Sequence, residues 1–307
     1  MLAPVDLEIA RNLPPSGSSL EDSCKYTRWL ATHHYENFSV ATFLLPRTLR
    51  QHFYNVYAYC RWADDLGDEV PDPKTALELL NWWEDQLREC YAGRATHPVF
   101  IALQDTVGRF DIPIDPFRDL LIAFRQDQTV HRYATWDDVL GYCRNSANPV
   151  GRLVLYLGGY RDPERFALSD YTCTALQLAN FWQDVSRDLD KDRIYIPLDL
   201  LAAAGLTESD LFERRFGDRY IKLMSGLVTR TRELFRRGDS LPALVAPALR
   251  VDIQLFARGG LAVLDAIEGI GYNTIQQRPS ITGLQKCRLL AQALGSHLLS
   301  KVVRRSA

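Results

Sequence analysis

A chain of 307 residues with 47% hydrophobic and 24% charged residues has the composition of a globular protein with ample material for a large core. Its formal net charge of -2 gives no reason to expect a nucleic-acid partner. Six scattered cysteines without a CxxC pair argue against a zinc site or a disulfide framework and suit a reducing cytoplasm.

The chain starts MLAPVDLEIARNLPPSG, which is polar and broken by prolines, unlike a secretory leader. No run of about 18 uncharged apolar residues predicts a membrane-spanning helix. A long run of helix formers and aromatics predicts a helix over 46–70. Asp72-Pro73 offers a cap and a first-turn proline, and Gly93 a stop, for a helix over 74–92. Another is expected at 114–127. Thr135 with Asp138 reads as a capping box opening a helix over 136–147 or beyond. Asp162-Pro163 opens a helix reaching about residue 191, and further helices are expected at 210–237, 242–270 and 281–303. The segment 286–305 mixes Leu and Val with Lys and Arg; packing on the core is expected, with contact to a membrane surface as the alternative. Alternating strand patterns with tight-turn signals are scarce, and neither GxGxxG nor a P-loop occurs. The reading is a single all-α domain over 1–307.

Two segments carry chemistry. At roughly 100° per residue, Tyr57, Arg61, Asp64 and Asp68 share one stripe of a helix, with Asp65 at its edge and Tyr59, Trp62 and Leu66 opposite. In 176–197, Gln177, Asn180, Asp184 and Asp188 share a stripe opposite Leu178, Trp182, Val185 and Leu189. A purely solvated face does not usually sit on so aromatic a helix as the first, whereas the wet face of an amphipathic helix explains the second pattern alone. Two such stripes, each with carboxylates at i and i+4 about 6 Å apart along the axis, suit hard cations better. Magnesium prefers oxygen ligands, keeps several waters and commonly joins one or two carboxylates to substrate phosphates. Facing stripes of this kind would hold a magnesium cluster around a diphosphate and neutralise it as a leaving group, with Arg61 and Arg193 adding contacts to phosphate oxygens. Phe38, Phe43, Phe53, Tyr142, Phe181 and Trp182 are candidates to line an apolar pocket, and at least half of them are expected to be ordinary core.

At these residues the chain resembles the squalene and phytoene synthase family, the head-to-head prenyl synthases. The resemblance covers roughly 30–285 and rests on ENFSVATFLLP (36–46), YAYCRWADDLGDE (57–69), GYCRNSANPVGRL (141–153) and LANFWQDVSRDLDKDRIYIP (178–197). It implies a single helical bundle of the isoprenoid synthase type with a deep central cavity. It implies two or three magnesium ions bound with the diphosphate by Asp64, Asp65 and Asp68 in a first aspartate-rich region, and by Asp184, Asp188 and Asn180 in a second. Asp64, Asp68, Asp184, Asp188 and Tyr142 are the implied catalytic residues, Tyr142 lying near the reacting carbons. Tyr57, Arg61, Gln177, Arg193, Tyr195 and Arg278 are implied on the substrate, and His34, Asn37 and Phe38 at its entrance.

Within the family the motifs look most like the hydroxysqualene-forming branch of bacterial hopanoid biosynthesis. That branch ionises presqualene diphosphate and traps the rearranged cation with water, so NADPH is not expected. The alternatives are condensation of two farnesyl or geranylgeranyl diphosphates to presqualene diphosphate, squalene or phytoene, and a non-catalytic helical scaffold. The implied partner is a small-molecule isoprenoid diphosphate. A cytoplasmic location follows, and peripheral contact with the inner face of the membrane and hand-over from another pathway enzyme are both compatible with it. Two departures stand out. The second region reads Gln183-Asp184-Val185-Ser186-Arg187-Asp188 where the family pattern is Arg-Asp-x-x-Glu-Asp, and 252–264 offers no match for a C-terminal pocket tyrosine.

Overall fold

The computed structural model describes residues 8–33 and 45–281. Among them every regular element is helical, and the only β pairing is an isolated bridge between Arg132 and Ile194. The helices are α1 (Leu20–His33), α2 (Arg47–Asp68), α3 (Pro73–Tyr91), α4 (Pro98–Phe110), α5 (Asp115–Gln126), α6 (Trp136–Ser146), α7 (Asn148–Leu157), α8 (Pro163–Asp190), α9 (Leu198–Ala203), α10 (Glu208–Phe212), α11 (Asp218–Gly238) and α12 (Pro247–Gly269). Short 3-10 turns cover Glu8–Asn12 and Leu241–Leu244.

The local signals act as expected at several ends. Asp72 caps α3 by accepting from the Thr75 amide at 2.9 Å, and Gly93 takes the left-handed φ of +76° just beyond its end. Thr135 and Asp138 form a reciprocal capping box on α6. Two expectations need correction. The helix expected over 210–237 is broken: α10 ends at Phe212, Arg214 takes a left-handed φ of +52°, and α11 starts only at Asp218. The helix expected over 242–270 starts at Pro247, whose fixed φ suits a first turn, after a separate 3-10 turn. Helices α1, α4 and α9 had no expectation; Pro98 at the first turn of α4 and Pro197 just before α9 were the available signals. The segment expected at 281–303 lies outside the described residues beyond Ile281.

Contacts divide the chain into two compact units, one of Met1–Thr129 with Pro149–Asp162 and one of Val130–Asn148 with Pro163–Ala307. In the first, α2 packs against α1, α3, α4 and α5. The Trp62 and Trp83 rings stack 5.3 Å apart, and Tyr59 meets Phe117 edge-on at 4.9 Å. Most of the buried polar handles are satisfied: Trp62 Nε1 donates to the Tyr26 hydroxyl, which donates to the Ile9 carbonyl, and the Tyr59 hydroxyl donates to the Phe117 carbonyl, whereas Trp83 Nε1 has no hydrogen-bond partner among the described residues. Asn55 donates to the Ala102 carbonyl and accepts from Thr27. These bonds fix the rotation of α2 about its axis, so the stripe of Arg61, Asp64 and Asp68 points away from the aromatic core.

In the second unit α8 is central, contacted by α6, α11 and α12. Trp182 is fully buried, stacks on Trp136 and donates to the Thr231 hydroxyl at 2.8 Å. Two glycines permit the closest approaches. A Cβ on Gly238 of α11 would lie 2.3 Å from Thr172 Oγ1 and 2.9 Å from the Leu168 carbonyl oxygen, and one on Gly260 of α12 would meet Phe235 at 2.5 Å. Trp182 as the inward anchor leaves Asn180, Asp184 and Asp188 on the opposite side of α8.

Candidate functional site

The first carboxylate stripe lies in the C-terminal half of α2. Arg61 is its centre: one terminal nitrogen forms a close ion pair with Asp65 Oδ1, and the other lies 3.5 Å from Asp64 Oδ2. Asp65 is only 4% exposed, whereas Asp64 is partly open and Asp68 is exposed at the helix end. Burial raises the Asp65 carboxyl to about 6 against the pull of Arg61, with the charges of Asp64 and Glu69 adding to the rise. Asp64 and Asp68, one turn apart, are the oxygens of this stripe nearest solvent. Asp65 is turned inward onto Arg61.

The second stripe lies on α8. Asn180 is exposed, and Gln177, Asp184 and Asp188 are half-buried. Asp188 is pushed up to about 7, first by burial and then by the charge of Asp184, with Arg193 and Lys191 pulling the other way. Arg193 stands close because the chain reverses directly after α8: Asp192 takes a left-handed φ of +55°, and the Arg193 amide donates to the Asp188 carbonyl at 2.8 Å. Arg278 closes on the stripe from far along the chain and forms a two-point ion pair with Asp184. Arg187, the cation introduced into this region, is exposed and has no hydrogen bond or ion pair among the described residues.

An aromatic group borders the second stripe. The Arg132–Ile194 bridge, extended by amide bonds from Ile194 to the His131 carbonyl and from Leu198 to the Tyr133 carbonyl, sets two segments side by side. Tyr133 and Tyr195 therefore stack at 5.6 Å, Tyr195 lies flat on Phe181 at 3.8 Å, and Tyr142 contacts Tyr133, Phe181 and Tyr195 at 5.6–5.9 Å. Phe181, Val185, Asp188, Leu189, Arg193, Tyr195 and Leu211 line a small cleft here, so an acidic oxygen, a cation and aromatic faces meet in one concavity. Ring faces of this kind attract positive charge.

Sequence reasoning placed Asp184, Asp188, Arg193, Tyr195 and Tyr142 in what proves to be one neighbourhood. Phe181 borders the small cleft, while Trp182 and Phe53 are core. Tyr57 is half-buried on α2. His34, Asn37, Phe38 and Phe43 lie outside the described residues. Tyr133 went unremarked, and its only signal is its place two residues before the α6 capping threonine. The partnership of Arg278 with Asp184 depends on chain reversal and could not be seen in spacing.

The donors on both stripes are oxygen atoms, which suits a hard divalent cation. Burial and the neighbouring Asp184 disfavour the Asp188 carboxylate, and a cation on this face would offset both. Among the described residues no three acidic, histidine or cysteine side chains converge on one metal position. A cation here would therefore take its remaining ligands from water and substrate, the usual habit of magnesium.

The family model for squalene/phytoene synthase matches residues 31–285. Phytoene synthase of Arthrospira platensis is 33% identical over 290 residues, covering 88% of this chain and 93% of the relative. A crystal structure of squalene synthase HpnC from Alicyclobacillus acidocaldarius superposes with a TM-score of 0.79 at 47% identity, covering 83% of this chain and 96% of that one. A ligand-bound dehydrosqualene synthase superposes with a TM-score of 0.82 at 25% identity, covering 92% and 98%. The match spans both carboxylate stripes and the aromatic group described above, and on that extent the chain belongs to the squalene/phytoene synthase family.

Proposed function

We propose that this protein converts presqualene diphosphate to hydroxysqualene with release of diphosphate, in a magnesium-dependent reaction that needs no NADPH. The observation that carries this reading is the likeness of the motifs at 52–69, 142–155 and 180–188 to the hydroxysqualene-forming branch, supported by the 47% identity to the squalene synthase HpnC structure over most of both chains. The proposed magnesium ligands are Asp64 and Asp68 on α2, with Asp65 joining them only by turning out from its ion pair with Arg61, and Asn180, Asp184 and Asp188 on α8. Magnesium, when bound, would draw charge from the diphosphate as its carbon–oxygen bond breaks. Arg61, Arg193 and Arg278 add fixed positive charge for phosphate oxygens. Tyr142, with Phe181 and Tyr195, offers ring faces to an allylic or cyclopropylcarbinyl cation and keeps bulk water from it. Water adding to that cation and losing a proton gives the alcohol. The proposed setting is a single domain in the cytoplasm that meets its apolar substrate at the membrane surface or by hand-over from another enzyme. No described helix is long and apolar enough to cross a membrane.

A second reading has its own support: the curated relatives include phytoene synthases of Arthrospira platensis and Synechococcus elongatus. The same carboxylates would then serve the condensation of two prenyl diphosphates. Incubation with presqualene diphosphate and magnesium, without NADPH, followed by mass analysis separates the two. A C30 alcohol supports the first reading. Turnover only from farnesyl or geranylgeranyl diphosphate replaces it with the second. Under either reading, Asp64→Ala and Asp184→Ala are expected to lower turnover by about 100-fold or more with the fold intact. Retention of wild-type rates by either variant removes that aspartate from the site.

A further inference from the structure

Gln183 precedes Asp184 on α8 and is 6% exposed. Its side-chain amide makes two bonds to the chain at 278–279. Nε2 donates to the Pro279 carbonyl at 2.8 Å, and Oε1 accepts from Arg278 Nη2 at 3.2 Å. The Arg278 guanidinium then covers the Asp184 carboxylate, with Nε on Oδ1 and Nη2 3.3 Å from Oδ2. Both oxygens of a proposed metal ligand are thus engaged by a cation of the protein's own.

The approach to this contact is also fastened. Thr274 shares a hydrogen bond with the Tyr220 hydroxyl, and Gln276 donates to the Arg214 carbonyl. Arg214 donates to the Ile275 carbonyl while binding Asp190 and the Ser186 carbonyl on α8. Residues 274–279 therefore run along α8 from its C-terminal end to Gln183. The last fastening needs a group that donates to a carbonyl and accepts from a guanidinium at once, which a side-chain amide does. A carboxylate lacks the donor. An arginine or lysine lacks the acceptor and repels Arg278.

We propose that Gln183 is a positioning residue that sets Arg278 on Asp184 as an internal counter-cation, which a divalent metal must displace and an arriving diphosphate then engages. The inference rests on the reading of Asp184 as a metal ligand. Metal alone binds against a competitor, whereas metal with diphosphate gives the displaced guanidinium a new anion. The second stripe is thereby biased to take the two together.

The test is calorimetric titration of the full-length protein, with magnesium chloride alone and with inorganic pyrophosphate at saturating magnesium. Arg278→Ala is expected to tighten magnesium binding several-fold and to weaken pyrophosphate binding about 10-fold. Opposite signs cannot come from loss of fold, which weakens both. Gln183→Met keeps the volume and loses both bonds, and is expected to move both affinities in the same directions by less. Magnesium affinity unchanged in Arg278→Ala, or a Gln183→Met variant identical to wild type in both titrations, overturns the proposal and leaves the diphosphate site standing. Absence of pyrophosphate binding to the wild type in magnesium overturns both.

Discussion

Asp252, in the N-terminal part of α12, is 4% exposed, and neither of its carboxylate oxygens has a hydrogen-bond partner among the described residues. Burial alone pushes its carboxyl from 3.8 to about 8. The folded protein therefore holds this proton over a range in which the unfolded chain has released it, so the group's contribution falls as pH rises between those two values. Below the lower value both states are protonated, and above the upper one both are ionised. Asp252→Asn is expected to flatten that slope, matching wild type near pH 4 and exceeding it at pH 8 by on the order of a few kcal/mol. Denaturant titrations at the two pH values check this, and parallel pH profiles for the two proteins would falsify the assignment. At this scale the carboxylate stripes were legible because helical period alone places Asp64 with Asp68 and Asp184 with Asp188. The inward turn of Asp65 and the isolation of Asp252 were not legible, because each depends on which neighbours the packing supplies.

Most helix ends follow signals within a few residues, and their strength can be measured. Thr135→Ala removes the cap of α6, including the acceptor for the Asp138 amide, and is expected to cost about 1 kcal/mol in chemical denaturation. The effect should be local, leaving the denaturant slope unchanged. The contact of α11 with α8 is governed differently. Gly238→Ala puts a methyl group against Thr172 and the Leu168 backbone, where the carbonyl cannot turn aside without disturbing α8. The expected loss is about 1–3 kcal/mol, and a stability equal to wild type would mean that the two helices can slide apart at no cost. The break between α10 and α11 is only partly local: FERRFGD carries no proline, Gly217 is its one breaker, and the interruption comes with a left-handed Arg214 that reaches Asp190, the Ser186 carbonyl and the Ile275 carbonyl. Long-range bonds there outweigh the helical preference of the segment.

At the scale of the whole chain, the first unit is discontinuous, since residues 149–162 belong with 1–129. That returning segment brings Leu153 and Leu155, both at most 1% exposed, and Arg161, which donates to the Phe110 carbonyl. A fragment ending at residue 129 is expected to lack a cooperative thermal transition and to bind a hydrophobic dye. A sharp melt for that fragment would show that the return is dispensable. Composition, helical period and capping residues determined by themselves an all-α fold, the two aspartate-bearing helices and the family motifs, because each is written in contiguous sequence. Tertiary structure decided which charges pair and which rings meet. Arg278 reaches Asp184, and Tyr133 reaches Tyr195, through chain reversals and side-chain bonds from far along the chain. The energy of such contacts belongs to pairs of residues distant in sequence, and no local pattern encodes it.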